Sequence, residues 1–266
     1  MTRPVTMILR PGKTPSGKEV RAWLHRLIKR IRRHWPKTRI TIRGDSHYGR
    51  EEAMSWCEAN GVDYIFGLSG NAVLDRLVDA AADDIRVRRA EGRHAVLRGF
   101  AETRYGAKSW AKERRVVARI EASASQEDDM LRRGLDIRYV VTSLKNGDAE
   151  HIYATVYCAR GQAENLIKQH KAQTASDRTS CRSPLANQFR LILHTAAYWL
   201  LLDVRDHVPS WHPLRRSEFA SIRLRLLKIA GRIMETASRI RVALASCCPE
   251  AELFSLLAFQ LQKSGP

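Results

Sequence analysis

"TRITIRGDSHYGREEAMSWCEANGVDYIFGLSG", residues 38–70, is the stretch on which the reading of the fold turns. It opens with a β-branched run, "TRITIRGDS", which predicts a strand. "REEAMSWCEANG" follows with helical character and Gly61 as its stop signal, and "VDYIFGLSG" predicts a second strand. The order is that of an α/β fold. Asp45 falls just past the C-terminal end of the first strand, the place where open α/β sheets gather ligands. An aspartate there is a metal ligand or an ordinary turn carboxylate, and this stretch alone leaves both open.

Upstream, "PVTMILRPG" at 4–12 predicts a short strand ended by Pro-Gly. From Ser16 to Trp35, Val20, Trp23, Leu24, Leu27, Ile28, Ile31 and Trp35 recur at helical spacing, with the opposite face mostly Arg and Lys. Downstream, "NAVLDRLVDAAADDIRVRRAEG" predicts a helix, and "AVLRGFAETRYGA", "RRVVARIEAS" and "IRYVVTSL" predict strands, so that 86–146 reads as an inserted β-rich subdomain. From His151 the pattern is helical through "AENLIKQHKAQ", "PLANQFRLILHTAAYWLLLDV" and "FASIRLRLLKIAGRIMETASRIRVALASC".

The 266 residues, 44% of them hydrophobic, suffice for a real core. A net charge of +18, spread along the whole chain, favours a broad surface for a polyanion, with nucleic acid the default partner. Cys57, Cys158, Cys181, Cys247 and Cys248 contain no CxxC pair, which supports neither a zinc site nor a disulfide framework and fits a reducing cytosol. The apolar run at 191–204 is too short for a membrane span and includes His194 and Asp203, so it reads as a buried core helix, and no signal peptide is recognisable.

"YCARGQAENLIKQHK", 157–171, sets Tyr157, Arg160, Glu164 and Lys171 three, four and seven residues apart. On a regular α-helix those steps bring all four within about 60° of one face. A carboxylate flanked by two cations and a phenol suits phosphodiester chemistry, because Mg²⁺ takes one or two protein carboxylates while Arg and Lys hold phosphate oxygens. A solvated helix side with Glu164 paired to Arg160 is the competing reading.

The spacing Y-(2)-R-(3)-E-(6)-K resembles the signature of DDE insertion-sequence transposases with an RNase H-like core, in the subgroup transposase DDE group 1. "GDSHYGREEAMSWCEANGVDYIFGLSGN" at 44–71, "SPLANQFRLILHTAAYWLL" at 183–201 and "RLLKIAGRIMETASRIRVAL" at 225–244 are similar to the same family, so the resemblance spans nearly the whole chain. It implies a bacterial cytoplasmic, nucleoid-associated enzyme for Mg²⁺-dependent DNA cleavage and strand transfer at transposon ends. Asp45 and Glu164 would be the second and third carboxylates of the triad and both metal ligands; Tyr157, Arg160 and Lys171 would bind DNA phosphates. The division implied is a partial RNase H-like core at 1–85, a β-rich insertion at 86–146, a catalytic-core helix at 147–180 and a C-terminal helical region at 181–266.

One family requirement is unmet. The first aspartate of the triad belongs on the first core strand and bridges two Mg²⁺ ions, yet residues 1–44 contain no aspartate, with Glu19 their only acid. The chain therefore resembles a family member lacking its first two core strands and the DNA-binding segment that usually precedes them, and it is expected to be inactive in cleavage alone. Its expected partners are double-stranded DNA, at the inverted-repeat ends and at the target, and a second copy or a full-length transposase, with no membrane. The competing function is a non-catalytic DNA-binding or interfering fragment. A site built from Asp45 and Asp63 is disfavoured because Asp63 starts a strand at the opposite end of the sheet, and Ser46-His47 lacks the elbow pattern of a hydrolase.

Overall fold

The computed structural model describes residues 3–124 and 134–263. They divide into two compact units, residues 12–161 and residues 162–266 together with the first eleven. The first is built on a five-stranded sheet. Its elements are α1 (Gly17–His34), β1 (Thr41–Gly44), α2 (Glu51–Ala59), β2 (Asp63–Leu68), α3 (Ala72–Leu77), α4 (Asp79–Glu91), β3 (Val96–Tyr105), β4 (Arg114–Ser123) and β5 (Leu135–Thr142).

The strand order is β1-β2-β5-β4-β3. β1 and β2 run parallel, as the intervening helix requires, and every other pairing is antiparallel. Among the described residues β1 lies at the edge, with a strand neighbour only in β2. Alternation along β2 sends Tyr64 and Phe66 to one face, against α1, α2 and α4, while Ile65 joins Val117, Val140, Ile152 and Tyr153 on the other. Ser16 caps α1 by accepting from the Glu19 N–H at 3.2 Å, and Val20, Leu24 and Ile28 bury its apolar stripe, whereas Trp23 and Trp35 of the expected set stay exposed. Gly61, at φ +60, supplies the left-handed residue that ends α2.

The strands of 86–146 do not form a separate sheet. They continue from β2 through β5, and the expected boundary at 85/86 falls inside α4. The helical pattern after Asn71 is interrupted at Val78, which ends α3 and precedes α4.

The second unit contains α5 (Gly161–Thr174), α6 (Pro184–His207), α7 (Phe219–Ile222), β6 (Gly231–Glu235), β7 (Ile240–Leu244) and α8 (Ala251–Lys263). Tyr198, Leu214, Phe219, Ile222 and Leu226 are central to its core. The run at 191–204 is not a buried helix throughout, since Tyr198 and Leu202 are buried while Ile192, Leu193, Trp199 and Leu200 are exposed. Two expectations are corrected here. "VTMILR" forms no strand, and backbone groups in and beside it meet side chains of α6 instead. Gln188 of α6 accepts from the Leu9 N–H at 2.7 Å and donates to the Met7 carbonyl at 3.2 Å, and the Trp199 indole donates to the Pro4 carbonyl at 2.7 Å. The C-terminal region is also not wholly helical. Beyond Lys228, "GRIME" and "IRVAL" pair antiparallel as a hairpin, closed by the Thr236 N–H donating to the Arg239 carbonyl at 2.8 Å. Among the described residues no helix is long and apolar enough to cross a membrane.

Candidate functional site

Asp45 directly follows Gly44, the last residue of β1. Its Oδ1 accepts the His47 N–H at 3.0 Å and its carbonyl accepts the Tyr48 N–H at 3.1 Å, so an Asx turn nested in a β-turn fixes the side chain. The residue is half-buried. Among the described residues Oδ2 has no protein partner. One carboxylate oxygen is thus used for orientation while the other remains open to an external ligand. Asp63 is paired with Thr41 at the opposite end of the parallel strands, three registered residues before Gly44, which places it roughly 10 Å away along the strand direction. It does not share a site with Asp45.

Tyr157 is brought to the same turn. A Cβ built on Gly67 would lie 2.9 Å from the Tyr157 Oη, 3.0 Å from the Ser46 nitrogen and 3.3 Å from the Asp45 carbonyl carbon. Gly67 therefore marks the point where the phenol and the Asp45-Ser46 backbone meet over β2, and only a residue without a side chain permits that approach. The segment carrying Tyr157 is not regular α-helix. His151–Tyr157 is a π-helical turn and Cys158–Arg160 a 3-10 turn before α5 begins. The irregular winding alters the 100° per residue step assumed for the four signature residues, so their angular spacing is not that of a straight α-helix.

Arg43 reinforces the junction. Its Nη1 donates to the Val156 carbonyl at 2.9 Å, tying β1 two residues before Asp45 to the π-helical turn. A buried ring cluster lies behind it: Tyr153 packs on Tyr157 with centroids 5.4 Å apart, and burial pushes the Tyr153 phenol above its ordinary pKa, so it stays neutral.

Glu164 and Lys171 lie on α5, seven residues apart and hence on one face. They line a shallow recess of about 510 Å³ with Ile167, Lys168 and Asp177. The Arg160 side chain lies outside the described ones. Asp45 and Tyr157 thus meet within the sheet unit, and Glu164 and Lys171 within the helical unit. Among the described residues no three His, Cys, Asp or Glu side chains converge as a metal cluster.

Sequence reasoning missed Arg43 and Gly67. Gly67 carried a readable signal, since a glycine inside "YIFGL" marks a close backbone approach. Arg43 carried none, because its role depends on a carbonyl supplied from more than a hundred residues away.

The donors at Asp45 and Glu164 are oxygen only, which fits a hard divalent cation better than a zinc-type site. The family model described as Transposase DDE domain group 1 matches residues 1–266. No curated protein matches the chain.

Proposed function

Because the chain belongs to the transposase DDE domain group 1 family, we propose that it takes part in cleavage and transfer of DNA strands at transposon ends, with Asp45 and Glu164 as metal-binding carboxylates. Membership implies DNA as partner and a divalent metal as the usual cofactor of the family. The observation that carries the reading is the convergence of Asp45 and the signature residue Tyr157 on one turn at the C-terminal end of the parallel pair.

Asp45 and Glu164 would hold Mg²⁺, which when bound lowers the pKa of water and stabilises a leaving oxygen. The chain's own residues do the rest. The Asx turn orients the Asp45 carboxylate, the Tyr157 hydroxyl offers a hydrogen bond beside it, and Arg160 and Lys171 grip phosphate oxygens, the first as a fork and the second as a point charge.

A second reading rests on a specific observation: the net charge of +18 runs along the whole chain and suits a polyanion whether or not it is cut. On that reading the chain alone binds DNA without cutting it. One experiment separates the two. Mg²⁺-dependent cleavage of a duplex carrying the terminal repeats that border the gene is measured for the chain alone and for the chain joined to an aspartate-bearing first core strand from a relative. Cleavage by the joined chain only, lost in Asp45→Asn and Glu164→Gln, supports a site that needs a third carboxylate. Cleavage by the chain alone, lost in the same variants, removes the second reading. Cleavage undiminished by Glu164→Gln overturns the assignment of Glu164.

A further inference from the structure

α1 carries seven Lys and Arg against a single acid, Glu19. Its apolar face is already used, since Val20, Leu24 and Ile28 are buried against the sheet unit's core. At 100° per residue, Lys18, Ala22, Arg26, Lys29 and Arg33 fall within about 80° of one another on the side opposite that stripe. All five are exposed. From Lys18 to Arg33 the ridge is about 22 Å long, room for several phosphates of a DNA duplex.

Two observations separate this ridge from a merely solvated helix face. Among the described residues Lys18, Arg21, Lys29, Arg30 and Arg33 meet no carboxylate, whereas on α4 Arg86 pairs with Asp83 at 2.8 Å and Arg88 with Asp84 at 3.3 Å. Among the described residues the charge of these five is not offset by a paired acid. The helix dipole explains only part of it: Arg32, Arg33 and His34 suit the C-terminal end, but Lys18 in the first turn and Arg21 just beyond oppose the positive N-terminal end. Cations placed against the dipole do not serve the helix.

The ridge also borders a concave feature. His25, Lys29, Arg32 and Arg33 line a recess of about 340 Å³ whose other wall is Trp56 and Asn60 of α2's C-terminal end. Arg32 is held there by donating to the Asn60 carbonyl at 2.9 Å and the Gly61 carbonyl at 3.2 Å, so its guanidinium is fixed beside the opening. A guanidinium held by two carbonyls among exposed lysines and arginines is an arrangement suited to phosphodiester oxygens.

We propose that the outward face of α1, with the recess between α1 and α2, docks the sugar-phosphate backbone of duplex DNA independently of base sequence. Charge complementarity selects the partner, and the commitment of the apolar stripe to the core removes the face that a membrane-surface helix would insert. The docking does not depend on the chemistry at Asp45 and Glu164, and its test is run in chelator without divalent metal, so its failure and theirs are separable.

The test is the salt dependence of binding by the full chain to a duplex without terminal repeats. The variant Lys18→Gln/Lys29→Gln/Arg33→Gln changes exposed positions only, and Arg104→Gln/Lys108→Gln/Lys145→Gln removes the same charge from other exposed positions. Three lost phosphate contacts make the log–log salt slope shallower by about 2.7, so between about 50 and about 200 mM salt the α1 variant loses about 40-fold less affinity than the wild type. The control triple keeps most of the wild-type slope, and Lys18→Arg/Lys29→Arg/Arg33→Lys restores it. An equal change in both Gln triples would assign the effect to net charge and overturn the proposal. So would an unchanged slope in the α1 variant, or a loss confined to binding of phosphatidylserine vesicles.

Discussion

Replacing Arg114 with methionine removes the cation on which α2 and β4 are joined. Arg114 is buried, with only 2% of its side chain exposed, at the start of β4. Its Nε donates to Glu58 Oε1 and its Nη1 to Glu51 Oε2, both at 2.7 Å, while Nη2 reaches the Ser55 hydroxyl at 3.1 Å. Trp110 lies 5.4 Å below the guanidinium. Methionine fills much of the same volume, so the dominant loss is electrostatic. Breaking a buried pair typically costs about 3–5 kcal/mol. Glu51 and Glu58 retain 20% and 19% exposure and Lys112 stays 3.0 Å from Glu58, so the lower end, about 3 kcal/mol, applies here. That corresponds to a fall of roughly 6–12 °C in the Tm of the sheet unit.

The pH dependence fixes the cause. Burial works against the charged forms of Glu51 and Glu58, but hydrogen bonds from Arg114, with Ser55 and Tyr64 assisting, outweigh it and hold both carboxyls below their ordinary pKa. Groups with folded pKa values below the unfolded ones contribute stability that is complete above about pH 4.5 and lost as pH falls through the folded values. Without Arg114, burial dominates at Glu51, whose pKa then rises, so that protonation relieves the variant as the wild type is losing its advantage. Urea unfolding followed by circular dichroism at pH 7 and at pH 4 should therefore show a gap that is widest at pH 7 and narrows at pH 4. A gap below about 1 kcal/mol at pH 7, or one equal at both pH values, would refute the reasoning.

Two further outcomes follow from the close contacts and burial described above. Gly67→Ala forces the Tyr157 phenol and the Ser46 nitrogen away from an added methyl group, at a cost of about 1–3 kcal/mol. In a thermal-denaturation cycle with Tyr157→Phe, which deletes the nearest atom, the double variant should recover part of that loss; strict additivity would show that the phenol and Gly67 are not in contact. In thiol labelling of the native chain at pH 8, exposed Cys158 and Cys247 should react first, while Cys57, fully buried and with its thiol pushed up to about 12 by burial and by Glu58, should react only on unfolding. Labelling of Cys57 in the first kinetic phase would contradict its packing.

Local pattern and local partners made much of the sheet unit legible. The stripe of Val20, Leu24 and Ile28, the strand-helix-strand order around Asp45 and the stop at Gly61 depend on neighbours a few residues away, and each is found in the structure. "VTMILR" has the composition of a strand, but β propensity says nothing of where a segment's backbone groups find partners, and here Gln188 of α6 takes the Leu9 N–H and the Met7 carbonyl. "GRIMETASRIRVAL" reads equally as the end of a helix, and pairing across its turn decides for a hairpin. The straight helix assumed for Tyr157 to Lys171 failed for a similar reason, since packing of Ile152 and Tyr153 against the sheet accompanies a π-helical turn that no periodicity announces.

The sequence by itself determined the family, through spaced residues and long similar stretches, and the strong positive charge spread along the chain. Tertiary structure alone decided that Tyr157 stands over the Asp45 turn, that Arg43 ties β1 to the Val156 carbonyl and that the strands after Val96 continue from β2. The physical reason is range: periodicity, capping and charge are set by residues within a turn or two, whereas a close approach over Gly67 or a ladder between β2 and β5 requires segments far apart in sequence to meet.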